Sequence, residues 1–306
     1  MRYVIVSGDP LTTAQTAQLE QAGWLPVYLE AGDSLSDLDI DLSQVEAYLL
    51  GGLEHITSHE LDQLPNLHLI SFVGTGYEAF VEVSTARWRG IEIRNTPRLA
   101  TNAVAEHALG LLLGLRRGII AAAQDPGTHV GKKSTELAAC RVGILGLGAV
   151  GTATARLLSP LAKDVVAWNR THRDDAPVTQ VTWEEATALD ALVICLALTD
   201  ETRGMVGEND LRRLAPSATL VNVASPEIVD PAALAAWLDR DPEARAGLDS
   251  YYTEPDFAPA NDPHGLMARD QVAITPHIAA LTVETWDRMV NLAVNNVSTA
   301  QARSLS

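Results

Sequence analysis

Gly146, Gly148 and Gly151 stand at the spacing G-x-G-x-x-G. They directly follow the apolar run Arg141-Val142-Gly143-Ile144-Leu145 and directly precede a helical pattern. Strand, turn and helix in that order give the spacing its specificity. The first glycine permits a tight turn, the second lets the backbone approach a pyrophosphate, and the third lets helix close on strand. The N–H groups around Ala149 and Val150, at the positive end of the helix, then face the phosphates. The alternative is a tight strand-to-helix turn with no ligand. The next strand, Asp164-Val165-Val166-Ala167-Trp168, runs into Asn169-Arg170-Thr171-His172-Arg173. A carboxylate at that point normally bonds the ribose 2′-hydroxyl of NAD. Here it is replaced by Asn169, and Arg170 and Arg173 on either side of Thr171 offer charge-assisted bonds to a 2′-phosphate. This pattern predicts NADP(H) in preference to NAD(H), with NAD(H) possible. Arginines in a merely solvated loop are the alternative.

Such a turn needs a parallel sheet behind it, and the chain has the alternation that builds one. Strands are expected at Tyr3–Ser7, Glu46–Leu50, Leu67–Val73 and Ile91–Arg94, with helices at Thr12–Ala22, Ser58–Leu64 and Glu78–Trp88. A second series of strands follows at Arg141–Leu145, Asp164–Trp168, Ala191–Leu198, Ala218–Val223, Arg245–Asp249 and Val272–Thr275. Alternation of this kind predicts an α/β protein of two doubly wound bodies. Thr101–Ala123 is apolar on most of its circumference, which predicts a buried helix and a two-fold dimer. Val283–Ala300 is amphipathic.

Composition narrows the functions. The 306 residues carry 39 Asp and Glu against 22 Lys and Arg, a formal charge of −17, which disfavours nucleic acid and anionic membranes as partners. No apolar run approaches the ~20 residues of a spanning helix. Two cysteines, Cys140 and Cys195, in strand-like runs predict a reduced, cytoplasmic protein without a disulfide framework. No ligand-type spacing predicts a metal.

Taken in order, the motifs resemble the D-isomer-specific 2-hydroxyacid dehydrogenases over nearly the whole chain. The resemblance rests on Gly74-Thr75-Gly76-Tyr77, Asn95-Thr96-Pro97, Asn102-Ala103-Val104-Ala105-Glu106-His107, Leu198 to Gly204, Asp249 to Glu254-Pro255, and Thr275-Pro276-His277-Ile278-Ala279. It implies a flavodoxin-like substrate domain, 1–97 plus 278–306, and a Rossmann-type dinucleotide domain, 98–277. Their cleft is expected to close about hinges near Pro97 and 275–280. It implies hydride transfer between the nicotinamide and a small 2-oxo or 2-hydroxy acid, with His277 as proton donor or acceptor, held basic by Glu254. It further implies substrate binding by the N–H groups of Thr75 and Gly76, and cofactor contacts from Thr202, in the loop beside the nicotinamide, and from Asp249.

Two places depart from the family: after Gly76-Tyr77 the chain has Glu78-Ala79-Phe80-Val81 where the family usually has Asp-Asn and an Asp soon after, and a catalytic segment differs. Where the family reads Val-Asn-Val-Ala-Arg-Gly, this chain has Val221-Asn222-Val223-Ala224-Ser225-Pro226, so Ser225 replaces a catalytic arginine. A hydrogen bond to a charged group contributes about 1.5–3 kcal/mol, so loss of a two-pronged contact is costly. Three readings follow. Another cation, such as Arg98, supplies the contact. Or the substrate is a related carbonyl compound in an altered pocket. Or the chain is a non-catalytic NADP(H)-binding sensor or scaffold. The retained Glu254 and His277 favour an active enzyme.

Overall fold

The structure, a computed structural model, describes residues 2–52, 54–127, 130–253 and 257–300. Short apolar runs alternate with helices along the whole chain. The first unit contains β1 (Arg2–Ser7), α1 (Thr13–Gln21), β2 (Trp24–Leu29), β3 (Val45–Leu50), α2 (Ser58–Gln63), β4 (Leu69–Phe72), α3 (Val83–Trp88) and β5 (Glu92–Arg94). The second contains α4 (Thr101–Arg116), α5 (Ile119–Gln124), β6 (Arg141–Leu145), α6 (Ala149–Leu158), β7 (Asp164–Trp168), β8 (Thr179–Gln180), α7 (Trp183–Ala186) and β9 (Ala191–Ile194). It continues with α8 (Glu208–Arg213), β10 (Thr219–Asn222), α9 (Pro231–Arg240), β11 (Arg245–Leu248) and β12 (Val272–Ile274). The chain then returns to the first unit in α10 (Val283–Ser298).

The units are Met1–Ala100 with Val283–Ser306, and Thr101–Thr282. From the sequence the divisions are expected at 97/98 and 277/278. They fall instead at the starts of α4 and α10, because each of these helices packs within one unit. α4 lies on β10, β11 and α6, whereas α10 lies on α1, β3 and β4. The first sheet has the order β2-β1-β3-β4-β5 and the second β12-β11-β10-β9-β6-β7-β8, with every pair parallel. These are the flavodoxin-like and the extended Rossmann orders.

β9 explains why such sheets need helices on both sides. Leu192 and Ile194 enter a core with Leu220, Leu234 and Trp237, while Ala191 and Val193 face Val142, Ile144, Val221 and Leu112. The strand is buried on both faces, so it reads as a continuous apolar run. In the first unit Ile5, Tyr48, Leu50, Ile70 and Phe72 form the core.

Several elements differ from expectation, among them the short strand β8, which no apolar run announces. β2 is an edge strand containing Pro26, tolerated there because an edge needs fewer N–H donors. The expected helix over 78–88 is a 3-10 turn at Tyr77–Ala79, a bridge from Ile56 to Val81, and α3. The expected strand to Leu198 stops at Ile194. The long helix from Thr101 breaks at Gly118, whose φ of +65° ends one helix and starts another. Much of the apolar surface of α4, including Ala105, Ala108, Leu111, Leu112 and Leu115, is buried, and Ala108, Leu111 and Leu112 join the core that lies under β6 and β9. Among the described residues no helix is long and apolar enough to cross a membrane.

Candidate active site

All seven strands of the second sheet run parallel, so the segments that follow them emerge at one edge. That edge collects Gly146 after β6, Asn169 after β7, Thr202 after β9, Ser225 after β10, Asp249 after β11 and His277 after β12. The strand order reverses between β9 and β6, the point at which open α/β sheets bind ligands.

The three glycines at this switch point have three different reasons to be glycine. Gly146 has φ +95°, and a Cβ there would stand 2.9 Å from the Cys195 carbonyl oxygen. A Cβ on Gly151 would run into the carbonyl oxygen of Gly146. Gly148 faces open space, with nothing within 4 Å of an added Cβ, so its reason is not internal packing. It is also the N-cap of α6, and no side chain caps that helix. By contrast Thr12, Thr57, Thr182 and Asp230 cap α1, α2, α7 and α9 with their own oxygens. The open glycine and the uncapped first turn around Ala149 and Val150 fit a bound pyrophosphate.

Asn169 shapes this turn. Its Oδ1 accepts from the Leu147 N–H at 2.9 Å, and its Nδ2 donates to the Thr171 carbonyl at 2.7 Å. Arg173 donates to the Leu147 carbonyl and pairs with Asp175 at 2.8 Å. The pair holds the Asp175 carboxyl below its ordinary range through the Arg173 hydrogen bond and charge. Arg170, well exposed, reaches Glu201 at 2.8 Å.

At the other end of the edge, Asp249 is 3% exposed and fully engaged. Its Oδ1 accepts from the Thr275 hydroxyl at 2.7 Å and from Ile278 N at 3.0 Å, and its Oδ2 from Ala279 N at 2.9 Å. His107, from α4, brings Nε2 to 3.0 Å from the Thr275 hydroxyl and 3.4 Å from Asp249. The carboxylate thus clamps both sides of His277, which is exposed and has a left-handed φ of +55°. Left-handed backbone at a non-glycine residue is strained and concentrates at functional sites. Asp249, expected to bind the cofactor, has its oxygens on this loop. Glu254, the expected partner of His277, and Pro255 lie outside the described residues.

After β9, the Thr202 hydroxyl donates to the Ala197 carbonyl at 2.7 Å and accepts from Thr199 N at 2.8 Å, which closes the loop on itself. After β10, Pro226 starts a 3-10 turn and fixes Ser225 in extended backbone. The Ser225 hydroxyl donates to Glu227, and Arg203 reaches the other Glu227 oxygen at 3.1 Å. Burial pushes the Glu227 carboxyl up, but the Ser225 hydroxyl and Arg203 outweigh it and hold the group below the usual range. In the first unit, Thr96 is buried and pins Gly74 through both its N–H and carbonyl, while Asn95 holds the Thr75 carbonyl at 2.8 Å. Thr75 and Gly76 are exposed at the tip of that turn, and Arg98 is an exposed residue with φ +66°.

Sequence reasoning missed His107, Glu227 and Arg203. His107 had a signal, since it lies on the i, i+4 line between buried Ala103 and Leu111, where a polar side chain needs a partner. Arg203 and Glu227 had none, because residues 24 apart meet only through the pairing of two loops.

Residues 109–279 match the family model for the D-isomer specific 2-hydroxyacid dehydrogenase NAD binding domain. The chain is 34% identical to a glyoxylate reductase of Thermofilum pendens over 259 residues, which cover 80% of this chain and 75% of the relative. It is 30% identical to a 2-ketogluconate reductase of Gluconobacter oxydans over 305 residues, which cover 96% and 94% of the two chains. Among solved structures, an NADPH-dependent glyoxylate/hydroxypyruvate reductase of Sinorhizobium meliloti, in complex with NADP and malonate, superposes with TM-score 0.79 at 29% identity. That match covers 96% of this chain and 92% of the other.

Proposed function

Because this chain belongs to the D-isomer-specific 2-hydroxyacid dehydrogenase family, we propose that it reduces a small 2-oxo acid, or oxidises the matching 2-hydroxy acid, with a preference for NADP(H). A nicotinamide dinucleotide, when bound, supplies or accepts the hydride. The rest falls to the protein. The turn from Gly146 to Gly151 and the first N–H groups of α6 take the pyrophosphate. Asn169 places no negative charge at the ribose, and Arg170, Thr171 and Arg173 offer donors to a 2′-phosphate.

His277 gives a proton to the carbonyl oxygen in reduction and takes it back in oxidation, a task suited to imidazole near neutral pH. Asp249 holds the two backbone N–H groups that follow the histidine, so the ring is presented from a fixed floor. Glu254 serves as its carboxylate partner, and Thr75 and Gly76 offer exposed backbone donors suited to a carboxylate. The observation that carries the reading is the Asp249 clamp, which presents His277 in strained backbone on the same sheet edge as the glycine turn. A cytoplasmic homodimer completes it.

Steady-state oxidation of NADPH and NADH with glyoxylate, hydroxypyruvate and 2-ketogluconate tests the proposal. Turnover of at least one, abolished by His277→Ala with NADPH affinity almost unchanged, supports it. NADPH binding without turnover of any carbonyl compound across a broad panel points to a sensor.

A further inference from the structure

We propose that Arg203 holds the substrate carboxylate in this chain, poised by Glu227 and Ser225 at the position where an arginine is missing. The inference rests on the proposed function and adds a specificity-determining residue to it. The relatives named above reduce carboxylate-bearing compounds, glyoxylate and 2-ketogluconate. A buried or half-buried carboxylate needs a cation or several N–H donors. The stretches 195–207, 223–230 and 275–282, which follow β9, β10 and β12, contain one lysine or arginine between them, Arg203.

Its place relative to Ser225 is fixed by backbone. Gly204 N donates to the Glu227 carbonyl at 2.7 Å, Val206 N to Ile228 at 3.0 Å, and Asp230 N to Val206 at 3.1 Å. These bonds lace the loop after β9 to the turn after β10. The guanidinium then touches Glu227 through Nη1 alone. Among the described residues its Nε and Nη2 have no partner, and the side chain is 55% exposed. A guanidinium with donors to spare beside one carboxylate can bridge to a second.

Glu227 also sets the class of substrate. Its carboxyl, held below the usual range, stays ionised at neutral pH and already offsets the Arg203 charge, so the guanidinium has spare N–H donors for one further carboxylate and no excess charge for a second. A monocarboxylate such as glyoxylate fits that balance. A dicarboxylate or phosphorylated acid meets repulsion from Glu227. Ser225, by engaging Glu227, keeps the acid turned toward Arg203.

The test is calorimetric titration of oxamate, an unreactive 2-oxo acid analogue, into the chain saturated with NADP+. Arg203→Met is expected to weaken oxamate about tenfold or more, Arg203→Lys less, and Ser225→Arg added to Arg203→Met to restore binding. In turnover, the ratio of kcat/KM for glyoxylate to that for uncharged glycolaldehyde falls by the same order in Arg203→Met. Unchanged oxamate affinity in Arg203→Met, or an unchanged glyoxylate-to-glycolaldehyde ratio, overturns the assignment. Failure of the unmodified chain to bind oxamate overturns it too, while leaving a dehydrogenase of uncharged carbonyls intact. Arg203-dependent oxamate binding without turnover upholds the assignment and removes the catalytic reading instead.

Discussion

His277 holds a left-handed backbone that costs a non-glycine residue roughly 1–2 kcal/mol. Glycine carries no such cost. His277→Gly is therefore expected to leave urea stability equal or higher, by up to about 1 kcal/mol, while turnover falls at least ~100-fold. A variant that loses both would make the ring structural. Among the described residues the Arg170 guanidinium pairs with Glu201 and is well exposed, so its removal leaves the glycine turn untouched. Arg170→Ser is expected to raise KM for NADPH several-fold with little change for NADH, and equal effects on the two would remove the 2′-phosphate contact. Glu227 titrates below the usual carboxylate range in the folded chain, despite burial, because of the Ser225 hydroxyl and Arg203. A carboxyl depressed by folding stabilises above its unfolded pKa and loses that contribution as pH falls through the folded value. Ser225→Ala is thus expected to destabilise more at neutral pH than in acid, its effect shrinking as pH falls through the folded-state value; urea unfolding along a descending pH series measures the difference.

At the scale of elements, the glycine turn was legible because its spacing sits between a strand and a helix, and β6 and β7 followed from apolar runs. The structure separates the glycines by their surroundings. Gly148→Ala meets nothing, so it is expected to fold normally and lose dinucleotide affinity. Gly151→Ala meets the Gly146 carbonyl, so it is expected to lose stability as well. Thermal unfolding with and without NADP+ distinguishes the two. Other elements were illegible for physical reasons. β2 carries a proline that reads as a breaker and is harmless only at an edge. The break at Gly118 hides inside a periodic apolar pattern, since a single glycine lowers helix stability without announcing a turn. The loop pairing that joins Arg203 to Glu227 depends on β9 and β10 lying side by side, which is topology and not local pattern.

For the molecule as a whole, the acidic charge and the two separate α/β bodies were readable from composition and alternation, because both are sums over many residues. A ligand that binds only the folded state stabilises it by mass action, about 2.7 kcal/mol at a hundredfold excess over Kd. NADPH is therefore expected to raise Tm by several degrees, and more than NADH at equal concentration. The homodimer is checked by light scattering, where a mass near 32.8 kDa for the particle would exclude it.

The cluster under His277 has a kinetic signature of its own. The amides of Ile278 and Ala279 belong to a surface loop, yet both donate to a carboxylate sealed from solvent. Deuterium reaches them when their bonds to Asp249 open, and Asp249 is itself held by Thr275 and, beyond it, His107. Exchange at these two positions should accordingly lag far behind other loops and keep pace with the interior of the sheet, so a spectrometer would see a patch of core beneath an imidazole that stands in water.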